Sequence, residues 1–146
     1  ERVVDADAAA NLGLAPDAEL VLIDRLRFAG SEPLAIDRIW LPAEIAEGLI
    51  DADFTHTSLY TELERTIGRR PNEGWERIHP AIPSDDHRTS LQLEDGEAVF
   101  CIERLGTFSG EPIEWRVTTI RGSRFTFVAD WTAGQRSELR LKMITV

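Results

Sequence analysis

Residues 20–41 read LVLIDRLRFAGSEPLAIDRIWL: two alternating runs, Leu20 to Phe28 and Leu34 to Leu41, joined by the turn residues Ala29, Gly30, Ser31 and Glu32. Alternation of period two marks a strand with one face in a core, and a Gly/Ser junction between two such runs makes an antiparallel hairpin. On the first strand this period places Val21, Ile23, Arg25 and Arg27 on one face and Leu20, Leu22, Leu26 and Phe28 on the other. Register then decides what Asp37 meets. A hairpin closed by an even loop turns Asp37 away from Arg25 and Arg27, whereas a three-residue loop with a bulge brings all three to one face.

The same pattern recurs. Sliding the sequence by 79 positions sets Leu12 and Leu14 on Leu91 and Leu93, Ile23 to Leu26 on Ile102 to Leu105, and Glu32-Pro33 on Glu111-Pro112. Each copy opens with a short helix (Asp5 to Leu12, then Ser84 to Leu91) and continues through a turn, a strand, a tight Gly/Ser turn and a second strand. The reading is an internally duplicated helix–hairpin unit. Between the copies, Pro42 to Leu49 predicts a short helix. Ser58 to Ile67 predicts a longer one, capped by Thr57 or Ser58 and ended by Gly68 and Pro71, with Leu59, Leu63 and Ile67 as its apolar stripe. Trp75 to Ile82 and Arg121 to Val128 supply two more strands, about six in all, with a turn at residues 121–123. The fold class is α+β: an antiparallel β-sheet with flanking helices, in one domain over 1–146, the tail 129–146 being a final strand or an extension.

Bulk properties narrow the function. The 146 residues are 42% hydrophobic and 29% charged, with a net charge of −10. That core suffices for one domain, and that charge repels phosphate backbones and anionic membranes, so DNA is not a direct partner. A single cysteine, Cys101, lies in an apolar run and reads as a small buried hydrophobe, which favours a reducing, cytoplasmic setting. No stretch is long and apolar enough to predict a membrane span, and the chain opens at Glu1 without methionine, as a piece of something longer would. No phosphate loop, dinucleotide fingerprint or nucleophile elbow is present. His56, His79 and His87 have no metal-ligand spacing, so neither a cofactor, a metal nor an enzyme is expected. The four tryptophans, Trp40, Trp75, Trp115 and Trp131, read as strand packing.

Three weak signals remain. Arg25 and Arg27, about 6.6 to 7 Å apart along one strand face, suit a phosphate or carboxylate, or else they are solvated arginines paired with surface carboxylates. The helix start at Ser58 offers free backbone N–H groups and, with Tyr60, two hydroxyls; the plain alternative is a cap and a packed ring. Asp37 and Glu114 lie in second hairpin strands within apolar stretches. They either hydrogen-bond a ligand or pair across strands, Glu114 sharing a face with Arg116 and Glu103 opposing Arg116 in an even hairpin.

Taken with their order and spacing, residues 12–14 (Leu-Gly-Leu), Arg25-Leu26-Arg27, Glu32-Pro33-Leu34-Ala35, Leu41-Pro42, Ser58-Leu59-Tyr60, residues 110–114 (Gly-Glu-Pro-Ile-Glu), Arg121-Gly122 and Arg124-Phe125 resemble the UTRA domain, the ligand-sensing half of HutC-type GntR regulators. The resemblance runs from about Val4 to Val128. It implies a chorismate lyase-like fold, a homodimer, a cytoplasmic transcription regulator, and DNA binding only through an N-terminal winged helix-turn-helix outside this chain. It also implies a small-molecule anionic effector such as a phosphorylated sugar, phosphonate or organic acid. Arg25, Arg27, Ser58 and Tyr60 match positions that hold a phosphate, and Asp37 and Glu114 match positions that bind the rest of the ligand. Four departures shift the expected ligand from the family's amino-sugar phosphates: Asp37 for glutamate, Ile120 and Trp40 for tyrosines, and Ser123 for aspartate. The alternatives are a chorismate lyase-like enzyme and a ligand-free dimerisation domain.

Overall fold

A computed structural model of the chain describes residues 1–54, 57–130, 133 and 138–143. Six strands, β1 (Arg2–Val4), β2 (Glu19–Ala29), β3 (Glu32–Pro42), β4 (Glu73–Ala81), β5 (Val99–Phe108) and β6 (Glu111–Arg121), form one sheet in the order β1-β2-β3-β6-β5-β4. All neighbouring strands are antiparallel. The fold is α+β, as the alternation predicts. Eight strands are present among the described residues, against about six expected: β1 is too short to show a period, and β8 (Glu138–Met143) pairs with β7 (Phe125–Asp130) as a separate ribbon. The tail therefore contains a strand. Trp131 and His56 lie outside the described residues.

The helices fall where their caps demand. Asp5 accepts a hydrogen bond from Ala8 N at the start of α1 (Ala6–Asn11), and Ser58 accepts one from Thr61 N at the start of α3 (Leu59–Ile67). Gly68 ends α3 in the left-handed region at φ 65°, where a side chain would be strained. Pro42 closes β3 and leads into α2 (Ala43–Ala46), followed by a 3₁₀ turn over Glu47–Leu49. Ser84 caps α4 (Asp85–Ser90).

An offset of 79 maps α1 onto α4 residue for residue, and it maps the cap Asp5 onto Ser84. The same offset carries the hydrogen bond from Leu12 N to Ala8 O onto that from Leu91 N to His87 O. It also carries a bulge after Arg27 onto one after Gly106. The strand order is correspondingly symmetric about the β3–β6 seam.

That bulge corrects the loop expected of the first hairpin. Ala29 pairs with Glu32, so the loop is the two residues Gly30 and Ser31, and the extra residue is Leu34, between the pairs Arg27–Ala35 and Phe28–Pro33. An even loop alone turns Asp37 away; the bulge restores it, and Arg25 and Asp37 sit directly opposite. The second bulge moves Arg104, not Glu103, opposite Arg116, and Glu103 pairs with Arg77 on the other face.

One face of the sheet, here called inner, carries two apolar covers. Leu59 and Leu63 of α3, with Ala43, Ala46 and Leu49, bury Val21, Ile23, Ile39 and Leu41. At the other end Phe125 and Phe127 of β7 pack on Ala35, Ile120, Phe100, Ile102 and Ile78, with Leu34 in the same cluster. On the outer face α1 covers Leu20, Trp40 and Trp115. Cys101, expected to be buried, is only partly so, opposite His79 of edge strand β4.

Ion pairs fasten the ends. Arg121, at the end of β6, bonds Glu97 through two nitrogens at 3.1 and 3.0 Å and Glu32 at 2.7 Å; Ser123 adds a bond to Glu97 at 2.6 Å. Burial by itself raises the Glu97 carboxyl, but the bonds from Arg121, Ser123 and Glu94 N hold it to about 2. A carboxyl depressed in the fold contributes stability that is complete above its unfolded value near 4.5 and lost as pH falls towards about 2. Measured unfolding free energy should therefore decline over that window, and Glu97→Gln should flatten the decline; equal slopes for both proteins contradict the network. In the core, Leu63→Ala should cost about 2–5 kcal/mol by denaturant titration, because Leu63 is fully buried beneath α3.

Candidate functional site

Between the two apolar covers the inner face is polar. Alternation from Val21 and Ile23 leads to Arg25 and Arg27 on β2, and from Leu41 and Ile39 to Asp37 on β3. From Ile120 it leads to Thr118, Arg116 and Glu114 on β6, and from Phe100 and Ile102 to Arg104 on β5. The strands dictate this belt: once the apolar positions at both ends are seated, the residues between them must face the same way.

Two carboxylates lie at its centre. Asp37 and Glu114 are 1% and 0% exposed, and a carboxylate taken so far from water stays ionised only beside cations or donors. Asp37 Oδ1 accepts from the Thr118 hydroxyl at 2.7 Å, and Oδ2 lies 3.0 Å from Arg27 Nε. Glu114 Oε2 accepts from the Tyr60 hydroxyl at 2.8 Å, while Oε1 is ion-paired with Arg116 Nη2. Arg104 Nη1 donates to the Tyr60 oxygen at 2.9 Å, and Arg104 Nε donates to Glu76 of β4 at 2.6 Å.

Arg25 stands apart. It makes no ion pair among the described residues; its guanidinium lies over the Phe54 ring, 5.7 Å from the centroid. Burial lowers its pKa, the charges of Arg116 and Arg27 lower it further, and only Asp37 opposes them. An arginine keeps its proton at ordinary pH, so a half-buried guanidinium beside two like charges favours a nearby anion. Arg25, Leu26, Arg27, Phe28 and Phe54 line an open cavity of about 600 Å³. Within the cluster four guanidinium groups, Arg25, Arg27, Arg104 and Arg116, meet three carboxylates, Asp37, Glu76 and Glu114.

Three polar atoms of the cluster are buried with no hydrogen bond: Arg27 Nε, Arg116 Nε and Glu114 Oε1. The Arg27 Nε–Asp37 and Arg116–Glu114 contacts satisfy charge without satisfying these atoms. Such atoms are uncommon in native interiors and collect where a ligand or ion completes the set. A groove on the outer face, lined by Leu26, Ile36, Trp40 and His87, holds one such atom, Trp40 Nε1, and its charged Asp24 and Arg38 bond each other at 3.1 and 3.3 Å.

Of the six residues singled out from the sequence, Arg25, Arg27, Asp37, Tyr60 and Glu114 belong to this belt. Ser58 is exposed; its hydroxyl accepts from Thr61 N and shares a 2.8 Å bond with the Thr61 hydroxyl, so in this structure it is a cap two residues from Tyr60. Arg116 was read only as a partner for Glu114, and Arg104, Thr118, Glu76 and Phe54 were not singled out from the sequence. Arg116 and Thr118 follow Glu114 at period two and were findable from alternation; Arg104 required the bulge, and Phe54 sits in a loop without period.

The sequence matches the model of the UTRA domain over residues 1–126. The chain belongs to the UTRA domain family. It is similar to the HTH-type transcriptional repressor NagR of Bacillus subtilis, at 28% identity over 123 residues covering 84% of this chain and 50% of that protein. It is similar to the HTH-type transcriptional regulator GgaR of Escherichia coli K12, at 23% identity over 85% of this chain and 49% of that protein. The chain thus spans about half the length of these curated relatives, which are named as regulators and not as enzymes. Among solved structures, the effector domain of PhnF from Mycobacterium smegmatis superposes with a TM-score of 0.80 at 24% identity, covering 91% of this chain and 83% of that one. The C-terminal domain of the histidine utilization repressor from Pseudomonas syringae gives 0.80 at 20% identity, covering 90% and 93%. At these identities the likeness is one of fold.

The belt yields a direct test of its wiring. Thr118→Val removes the hydroxyl that serves buried Asp37 and should destabilise the domain by roughly 1–3 kcal/mol. Adding Asp37→Asn to that variant should cost less than Asp37→Asn alone costs the wild type, since the two groups share one bond; strictly additive denaturation energies contradict the pairing.

Proposed function

We propose that the chain is the effector-binding domain of a GntR-family transcription regulator, and that Arg25 and Arg27 receive the anionic group of a small metabolite. The carrying observation is the half-buried Arg25, which makes no ion pair among the described residues and lies beside Arg27, whose Nε lacks a hydrogen bond. Two guanidinium groups on one strand face can grip a phosphate, phosphonate or carboxylate through paired N–H donors. Ser58 and the first N–H groups of α3 bring further donors, and Asp37 and Glu114 are acceptors for the hydroxyl or amine part of the ligand. Kinship with NagR, named a repressor, and with PhnF, whose solved effector domain shares the fold, supports a regulatory role. The charge of −10 supports DNA contact through another part of the protein. Pairing into homodimers and a cytoplasmic setting accompany this role.

A thermal-shift screen of phosphorylated sugars, phosphonates and small organic acids tests the assignment. A ligand at a hundred times its Kd stabilises the fold by about 2.7 kcal/mol, a rise in Tm easily read. Arg25→Ala with Arg27→Ala should abolish the response to every anionic hit; an unchanged response in that variant removes the two arginines from the site.

A further inference from the structure

Tyr60 is the one tyrosine of the sequence, and its hydroxyl is fully engaged by the sheet. It donates to Glu114 Oε2 and accepts from Arg104 Nη1, and the Arg116 guanidinium lies 5.4 Å from its ring centroid. Arg104 is itself fixed by Glu76. Arg104 and Arg116 are direct partners across β5 and β6, a like-charged pair that costs stability unless anions flank it. Glu76, Glu114 and the phenol oxygen flank it. Glu114 is confined as well: a β-carbon on Gly106 would stand 3.0 Å from its Oε2 and 2.9 Å from Pro71.

Tyr60 and Arg104 line a cavity of about 400 Å³ with Pro71, Trp75 and Gly106, so the arrangement has a chemical consequence for an anion that reaches the phenol. A phenol owns one proton. While Tyr60 gives it to Glu114, it has none for the anion; if the anion takes it, a wholly buried carboxylate oxygen loses its donor. Leaving such an acceptor unmet weakens binding by about tenfold or more. A ligand that brings its own hydroxyl or amine to Glu114 avoids that loss.

We propose that Arg104 is a positioning residue of the effector site: it holds the Tyr60 hydroxyl on Glu114, and so makes the site selective for ligands that carry a hydroxyl or amine beside their anionic group. This deepens the effector reading above and rests on it. Simple anions are disfavoured because they satisfy Tyr60 at the expense of Glu114. Arg116 assists by holding the other oxygen of Glu114 against its guanidinium.

Tyr60 provides the readout, since ultraviolet difference absorbance on titration reports this phenol alone. Burial raises its pKa, the Glu114 charge and bond raise it further, and Arg116 and Arg104 pull it down; Glu76 acts through Arg104. The experiment titrates wild type, Arg104→Met and Arg104→Lys with base, and measures the binding of inorganic phosphate and glycerol 3-phosphate to each by calorimetry. The wild type should prefer glycerol 3-phosphate by about tenfold or more. Arg104→Met should move the Tyr60 ionisation to higher pH and bring the two affinities to within about twofold, and Arg104→Lys should recover both. An unmoved phenol titration in Arg104→Met overturns the positioning role, as does a preference for glycerol 3-phosphate that survives the substitution. If the wild type binds neither probe while the phenol still moves, Arg104 positions Tyr60 as stated, and the effector reading, with the selectivity built on it, is what falls.

Discussion

Two carboxylates buried in the middle of a sheet, Asp37 and Glu114, impose the constraint from which the rest of this domain follows. An ionised carboxylate in the interior must find cations and donors within reach, or it takes up a proton and loses its function. The sheet answers with arginines on the same face, two residues along the strand or on the strand across from it. Because each strand can aim only alternate residues inward, supplying those partners fixes the register of both hairpins. A slip of one residue in β3 would send Asp37 to the face away from Arg25 and Arg27 and carry Ile39 and Leu41 out of the core at the same stroke.

The bulges after Arg27 and Gly106 are the devices that secure this register. They stand at equivalent points of two units offset by 79 residues, yet the residues they serve differ. In the first unit the bulged strand pair presents arginine against aspartate, Arg25 opposite Asp37. In the second it presents arginine against arginine, Arg104 opposite Arg116. One architecture thus yields an end where Arg25 makes no ion pair among the described residues and an end whose charges are balanced by Glu76, Glu114 and the Tyr60 hydroxyl. The apolar covers from α3 and β7 flank the belt on either side.

Much of this was legible in the sequence because period and capping are local. The alternation of residues 20–41 gave the hairpin, Ser58 and Gly68 gave the limits of α3, and five of the six residues read as candidate ligand contacts lie on one belt. What the alternation could not reveal was the register correction: a bulge at Leu34 carries no composition signal, and a two-residue loop without it puts Asp37 on the wrong face. The same blindness set Glu103 opposite Arg116 and hid Arg104. Ser58 read equally well as cap or contact, because a side-chain oxygen that serves Thr61 N looks no different in sequence from one that serves a ligand. β1 was missed for want of length, and the tail that holds β8 was read as either a strand or an extension for want of a period.

The central claim is that the inner-face belt is a binding site whose cationic end is open to an anion. The most direct measurement is a crystal structure of the domain grown in inorganic phosphate, which is also a minimal probe of the site. The account predicts an anion within hydrogen-bond distance of both the Arg25 and Arg27 guanidinium groups, on the inner face beneath the start of α3. An anion bound elsewhere while Arg25 and Arg27 turn to solvent or to surface carboxylates contradicts it.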